Sequence, residues 1–187
     1  MSGCAHKFGG PQGVGFLKAP ARLRPLLHGG PQEEGRRAGT ENVAGVLSMI
    51  AALEARTRSI DGGEAAGHEH LRRKMEQALC ERLPGVRIVG AGADRLWNTI
   101  AVVMPEIDCR QRWVVKLDRL GFAVSTGSAC ASGKERTSHV LHAMGLSPAM
   151  ASRVLRFSSG WETTENEWEQ LLAGIERAFN ELKAARI

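Results

Sequence analysis

The stretch Asn98-Thr99-Ile100-Ala101-Val102-Val103-Met104 decides the architecture. It is rich in β-branched residues, which suit a pleated, packed surface, so it reads as a buried strand. Upstream lies a second short strand, Val86-Arg87-Ile88-Val89, set off by the breaker Pro84-Gly85. Before that, residues from about Glu64 to Arg82 read as a helix. Downstream, Asp108 can cap a helix to about Leu120 with Trp113, Val114 and Leu117 on one face. Phe122-Ala123-Val124-Ser125 reads as a strand, and Ser138 to Met144 as a short helix closed by Gly145. Arg153-Val154-Leu155-Arg156-Phe157-Ser158 is a further strand. The last helix opens on a capping box, Thr164 to Glu167, and carries an apolar stripe of Trp168, Leu171, Leu172, Ile175, Phe179 and Leu182. From Val86 onward the order is β-β-α-β-α-β-α, which suits an α+β layer with helices on one face of a small sheet.

The first part of the chain is glycine-rich. Phe8-Gly9-Gly10-Pro11-Gln12-Gly13-Val14-Gly15-Phe16-Leu17 reads as a turn feeding a strand from about Gly13 to Lys18. Residues His28 to Gly39 form a polar loop, after which Thr40 can cap a helix. Val43, Val46, Leu47, Ile50 and Leu53 recur at helical spacing, so that helix runs to about Arg58. Ser59 to Gly63 reads as a turn.

Composition narrows the class. The chain has 187 residues, 43% of them hydrophobic and 24% charged, with a formal net charge of +5. These values fit a globular protein and exclude a disordered, collagen-like or coiled-coil chain. No apolar run approaches the length of a membrane span. The N-terminus has no apolar signal core. The chain therefore reads as soluble and cytoplasmic, with no membrane partner. Its basic residues are scattered and interleaved with acids, and there is no Tyr, so nucleic-acid binding is not expected. The cysteines, Cys4, Cys80, Cys109 and Cys130, contain no CxxC pair, so no metal site is expected. Cys80 and Cys109 read as small hydrophobes in or near the core.

Three local features could carry chemistry. His6-Lys7 precedes a run of glycines, which suggests close backbone approach to a phosphate-bearing ligand. The Walker and GxGxxG patterns are both absent. Ser125-Thr126-Gly127-Ser128-Ala129-Cys130-Ala131-Ser132-Gly133 contains nothing bulky to pack it down, so it reads as an exposed loop with an accessible thiol. Arg156 lies between apolar neighbours on a strand. It either points to solvent or pairs with an anion, and its fork of donors suits a carboxylate.

Taken together, these residues resemble the cysteine desulfurases of the NifS/IscS type, which are class V aminotransferase-fold enzymes using pyridoxal 5′-phosphate. The matching segments occur in family order over essentially the whole chain. They are Ala5-His6-Lys7-Phe8-Gly9-Gly10-Pro11-Gln12-Gly13-Val14-Gly15, then Gly35-Arg36-Arg37-Ala38-Gly39-Thr40-Glu41-Asn42, then Gly127-Ser128-Ala129-Cys130 with Ser138-His139-Val140-Leu141, and Leu155-Arg156-Phe157-Ser158. The resemblance implies an α/β chain of the fold type I class of pyridoxal-phosphate-dependent transferases, present as a truncated portion. Residues 1–58 would be a remnant of the large cofactor-binding domain with its interdomain helix. Residues 59–187 would be the small C-terminal α+β domain.

The resemblance also implies roles. Lys7 matches the lysine that carries the cofactor and moves the substrate's Cα proton. His6 would lie by the cofactor phosphate, and Thr40 would reach the phosphate bound in the neighbouring subunit of a homodimer. Arg156 matches the arginine that clamps the carboxylate of the substrate, L-cysteine. Cys130 matches the nucleophile that takes the sulfur as a persulfide and hands it to an acceptor protein, such as an iron-sulfur scaffold. There are departures. Cys4 stands where the family usually has a serine, and a thiol is a weaker donor. Pro31 stands where a third glycine is usual, and Glu34 where a basic residue is common. The family's large domain lies mostly ahead of the lysine, so the resemblance covers a C-terminal portion. The alternative is a non-catalytic module that binds a full-length desulfurase or another partner.

Overall fold

The computed structural model describes residues 1–19, 23–107, 110–126 and 138–184. The chain divides into two compact units, Met1–Glu64 and Ala65–Ile187.

In the first unit, β1 (Ser2–Cys4) and β2 (Gly15–Leu17) pair antiparallel, with Gly3 opposite Phe16. The sequence pattern did not mark β1, because two small residues and a cysteine carry no strand signal. A single 3-10 turn, Ala5–Lys7, follows β1. Next come the one-turn α1 (Gln32–Gly35) and the long α2 (Val43–Asp61). The cap of α2 is Asn42, not Thr40: the Asn42 side-chain oxygen accepts the Gly45 amide at 3.0 Å. The helix also runs past the expected turn at Ser59. It closes only at Gly62 and Gly63, and Gly63 has φ +85, a left-handed value that favours glycine. Gly45 is buried, and a Cβ there would meet Asn42 Nδ2 at 2.6 Å and Val14 Cγ2 at 2.7 Å, so the position needs glycine. The apolar residues Val43, Leu47, Ile50 and Leu53 point outward, with Val43 62% and Leu47 61% exposed.

The second unit opens with α3 (Glu64–Arg82), which starts at the boundary. Then come β3 (Arg87–Ile88), β4 (Thr99–Val103), α4 (Arg110–Arg119) and β5 (Ser125–Thr126). After these follow α5 (His139–Ala143), α6 (Pro148–Ala151), β6 (Val154–Ser158) and α7 (Glu165–Ala184). The strands form an antiparallel sheet in the order β3-β4-β6-β5.

Side chains alternate across the sheet, and this alternation separates two cores. Ile100, Val102, Leu155 and Phe157 face one side. There they pack with Met75 and Leu79 of α3, Trp113 and Leu117 of α4, and Trp168, Leu172 and Ile175 of α7. Val103 and Val154 face the other side, with Val89, Leu141, Leu146 and Ala151. The α7 stripe and the α4 face are thus core, as their spacing predicts.

Two expectations change, and one element is new. The strand expected at Phe122–Ser125 is found at Ser125–Thr126. Phe122 instead closes α4: its amide donates to Leu117 O at 2.9 Å, beside Gly121 at φ +87. Cys80 is exposed, because on α3 the buried positions are Arg72, Met75 and Leu79, and one residue further turns the thiol outward. The short α6 was unmarked by periodicity. It is set by Ser147, whose hydroxyl accepts the Met150 amide, with Pro148 in the first turn. Cys109 and Asp108 lie outside the described residues.

Candidate functional site

The loop around Lys7 is built from glycines for steric reasons. Buried Ala5 organises it: its amide donates to Val14 O at 3.0 Å, and its carbonyl accepts from Phe8 and Gly10 at 3.0 and 2.9 Å. A Cβ on Gly10 would meet the Ala5 Cβ at 2.8 Å, and one on Gly15 would meet Gly3 O at 2.5 Å. Gly10 and Gly15 therefore let a tight turn close, while at Gly13, with φ +79, a Cβ would meet nothing within 4 Å. The turn holds Lys7 and His6, both exposed, at the end of the 3-10 segment. It is tied to α2 by Arg56, whose Nε donates to Phe8 O at 3.3 Å. Lys7 has no hydrogen-bond or ion-pair partner among the described residues.

Thr40 is exposed, two residues ahead of the Asn42 cap. The preceding loop is held by Gln32, whose side-chain oxygen accepts the Gly39 amide at 3.2 Å. Within α1, Glu33 and Glu34 adopt left-handed backbone angles, φ 48 and 58, which cost a non-glycine residue energy. Glu34 forms a surface pair with Arg36 at 2.7 Å.

In the second unit, Arg156 is half-buried on β6. Its register partners are Ala101 on β4 and Ser125 on β5. Directly opposed residues of an antiparallel pair share a face, so the three side chains form one row across the sheet. The Arg156 Nη2 donates to Ser125 Oγ at 3.2 Å. Its Nε is buried without a partner. Unlike Arg72, Arg95 and Arg153, Arg156 has no acidic partner among the described residues. The sequence left its direction open, and the structure places it on the face opposite the α3–α4–α7 core.

Lys7, His6 and Thr40 belong to the first unit and Arg156 to the second. Cys130 and the rest of Gly127-Ser128-Ala129-Cys130 lie outside the described residues. The role of Ser125 as the bonding partner of Arg156 was not singled out from sequence. The signal for it exists only in strand register. No group of metal-ligating side chains occurs among the described residues, and no helix among them is long and apolar enough to cross a membrane.

The family described as aminotransferase class-V matches residues 1–171. A cysteine desulfurase of Klebsiella pneumoniae is 38% identical over 186 residues, which is 98% of this chain and 46% of that protein. A cysteine desulfurase of Rhodobacter capsulatus is 41% identical over 187 residues, covering 98% of this chain and 47% of the relative. Among solved structures, a NifS-like protein superposes with a TM-score of 0.81 at 33% identity, over 96% of this chain and 46% of that one. The chain thus spans about half the length of the curated relatives it matches.

Proposed function

The chain belongs to the aminotransferase class-V family, and from that premise we propose that it carries the C-terminal, sulfur-handling part of a cysteine desulfurase. The reaction converts L-cysteine to L-alanine and leaves the sulfur as a persulfide on Cys130. The observation that carries this reading is Arg156. It is a half-buried guanidinium held by Ser125, with no acid to balance it among the described residues. Such a cation favours an anionic ligand, and its fork suits the carboxylate of an amino acid.

The residues present fit a pyridoxal phosphate. Lys7 offers an exposed amine, presented by a turn that is closed around Ala5. Lys7 would hold the cofactor, with His6 and Thr40 toward its phosphate, Thr40 acting across a homodimer. When bound, the cofactor supplies an electron sink for the bonds at the amino acid's Cα. Lys7 would take and return the Cα proton at Nζ. Arg156 orients the substrate through its carboxylate. Cys130, as thiolate, would attack the substrate sulfur. An S–S bond forms, the C–S bond breaks with its electron pair staying on carbon, and protonation there gives alanine. The persulfide then passes to a protein sulfur acceptor. Residues 1–58 serve the cofactor side and residues 59–187 the small domain.

The test mixes the purified chain with pyridoxal phosphate and L-cysteine. The expected result is a visible absorbance band absent from Lys7→Ala, alanine release, and a persulfide mapped to Cys130 by mass spectrometry. No band in the unmodified chain overturns cofactor binding by this chain. Alanine without a Cys130 persulfide overturns the assignment of the nucleophile.

A further inference from the structure

Arg156 stands at a border on its sheet face. One step along that face, Val103 and Val154 are paired and buried in the smaller apolar cluster. One step the other way, Thr99 is paired with Ser158, and both carry hydroxyls. Across the sheet, Arg156 lies between the methyl of Ala101 and the hydroxyl of Ser125. The guanidinium is therefore walled by apolar side chains on one side, with small or hydroxyl-bearing neighbours on the others.

Its donors are not equivalent. Nε is buried and has no partner, so it is out of reach of a ligand. One proton of Nη2 goes to Ser125 Oγ at 3.2 Å. Nη1 makes no hydrogen bond among the described residues. A guanidinium can meet a carboxylate side-on through Nε and Nη2, or end-on through Nη1 and Nη2. Burial of Nε leaves only the end-on fork.

We propose that Ser125 is the positioning residue for Arg156: it fixes the guanidinium so that Nη1 and the second Nη2 proton form an end-on fork for a substrate carboxylate. This rests on the reading of Arg156 as the carboxylate clamp. A long arginine side chain loses rotamer freedom on binding, and an anchor already in place before the ligand arrives reduces that loss. Ser125 supplies the anchor from an adjacent strand, at the position directly opposite in register. Ser125 acts through Arg156 and not on the reacting atoms.

The experiment is arginine side-chain NMR on the full chain, with the Arg156 signals assigned by their loss in Arg156→Lys. Rotation of the Arg156 guanidinium should be slow in the unmodified chain. It should become about tenfold faster in Ser125→Ala, as loss of a charge-assisted hydrogen bond implies, and be restored in Ser125→Thr. Backbone shifts of Leu155 and Thr126 report whether β5 stays paired in each variant. Added L-alanine should shift the Nη signals and leave Nε in place, with affinity about tenfold weaker in Ser125→Ala. Unchanged rotation in Ser125→Ala, or a ligand shift centred on Nε, overturns the proposal. No shift with L-alanine in the unmodified chain overturns the carboxylate-clamp reading instead, so the two failures are distinguishable.

Discussion

Glu76 accepts both arms of Arg95, Nη1 at 2.8 Å and Nη2 at 3.0 Å, so the loop before β4 is bolted to the middle of α3. The same Oε1 also takes Nη1 of Arg72 at 2.8 Å. The Arg72 side chain is only 4% exposed, and Glu69 supplies its second partner at 3.3 Å. Two largely buried cations therefore depend on one carboxylate.

Glu76→Ala should be among the most damaging single changes in the second unit. It leaves two guanidiniums desolvated without their shared partner, a loss of about 3–5 kcal/mol. Urea unfolding of the chain measures it, and a loss below about 1 kcal/mol would show that water replaces the carboxylate.

Thr164 and Glu167 form the reciprocal box at the start of α7. The Thr164 amide donates to Glu167 Oε2 at 2.7 Å, and the Glu167 amide donates to Thr164 Oγ1 at 3.3 Å. The Glu167 carboxyl is held below its ordinary range, first by the Thr164 amide and then by the Thr164 hydroxyl. A value lowered on folding adds stability above the unfolded carboxylate value and loses it as pH falls through the folded value. Thr164→Ala should cost about 0.5–2 kcal/mol through the lost cap. It should also raise the Glu167 midpoint in an NMR pH titration, and an unmoved midpoint would count against the box.

Gly174 is buried inside α7, where a Cβ would meet the Phe122 ring at 2.5 Å. Helix propensity favours Ala over Gly by about 1 kcal/mol, but overpacking a filled core costs about 1–3 kcal/mol. Gly174→Ala should therefore destabilise the chain modestly. In a Phe122→Ala background the same change should become neutral or stabilising. A double-mutant cycle by thermal unfolding reads the coupling, and additive effects would dismiss the contact.

The outward residues of α2 should behave as surface. Leu47→Lys or Leu53→Lys removes side chains that are 61% and 48% exposed. Each should change stability by no more than about 0.5 kcal/mol, whereas Phe157→Ala, at 2% exposed, should cost about 3–5 kcal/mol. Equal losses at the two kinds of position would mean that α2 is covered in solution.

Much of the second unit was legible in the chain itself. The β-branched run at Thr99–Val103, the capping box at Thr164 and the α7 stripe are local signals, and each produced the expected element at nearly the expected bounds. The failures share a cause. Thr40 and Asn42 are both competent caps, and the folded chain uses Asn42, whose side-chain oxygen accepts the Gly45 amide. Phe122 has strand propensity, but its amide is taken by the end of α4. Gly10 and Gly15 are required by contacts with Ala5 and within the β1–β2 pair, a packing reason that composition does not carry.

The same division holds for the candidate site. Residue order alone determined the family, the lysine, the arginine and the thiol worth testing, because such motifs are written in consecutive residues. The environment of Arg156 was decided only by tertiary structure. Its opposition to Ser125, the burial of its Nε and its lack of an acidic partner among the described residues arise from β6 pairing with β4 on one side and β5 on the other. Strand pairing joins residues far apart in the chain, and a shift of one residue would turn the guanidinium to the opposite face.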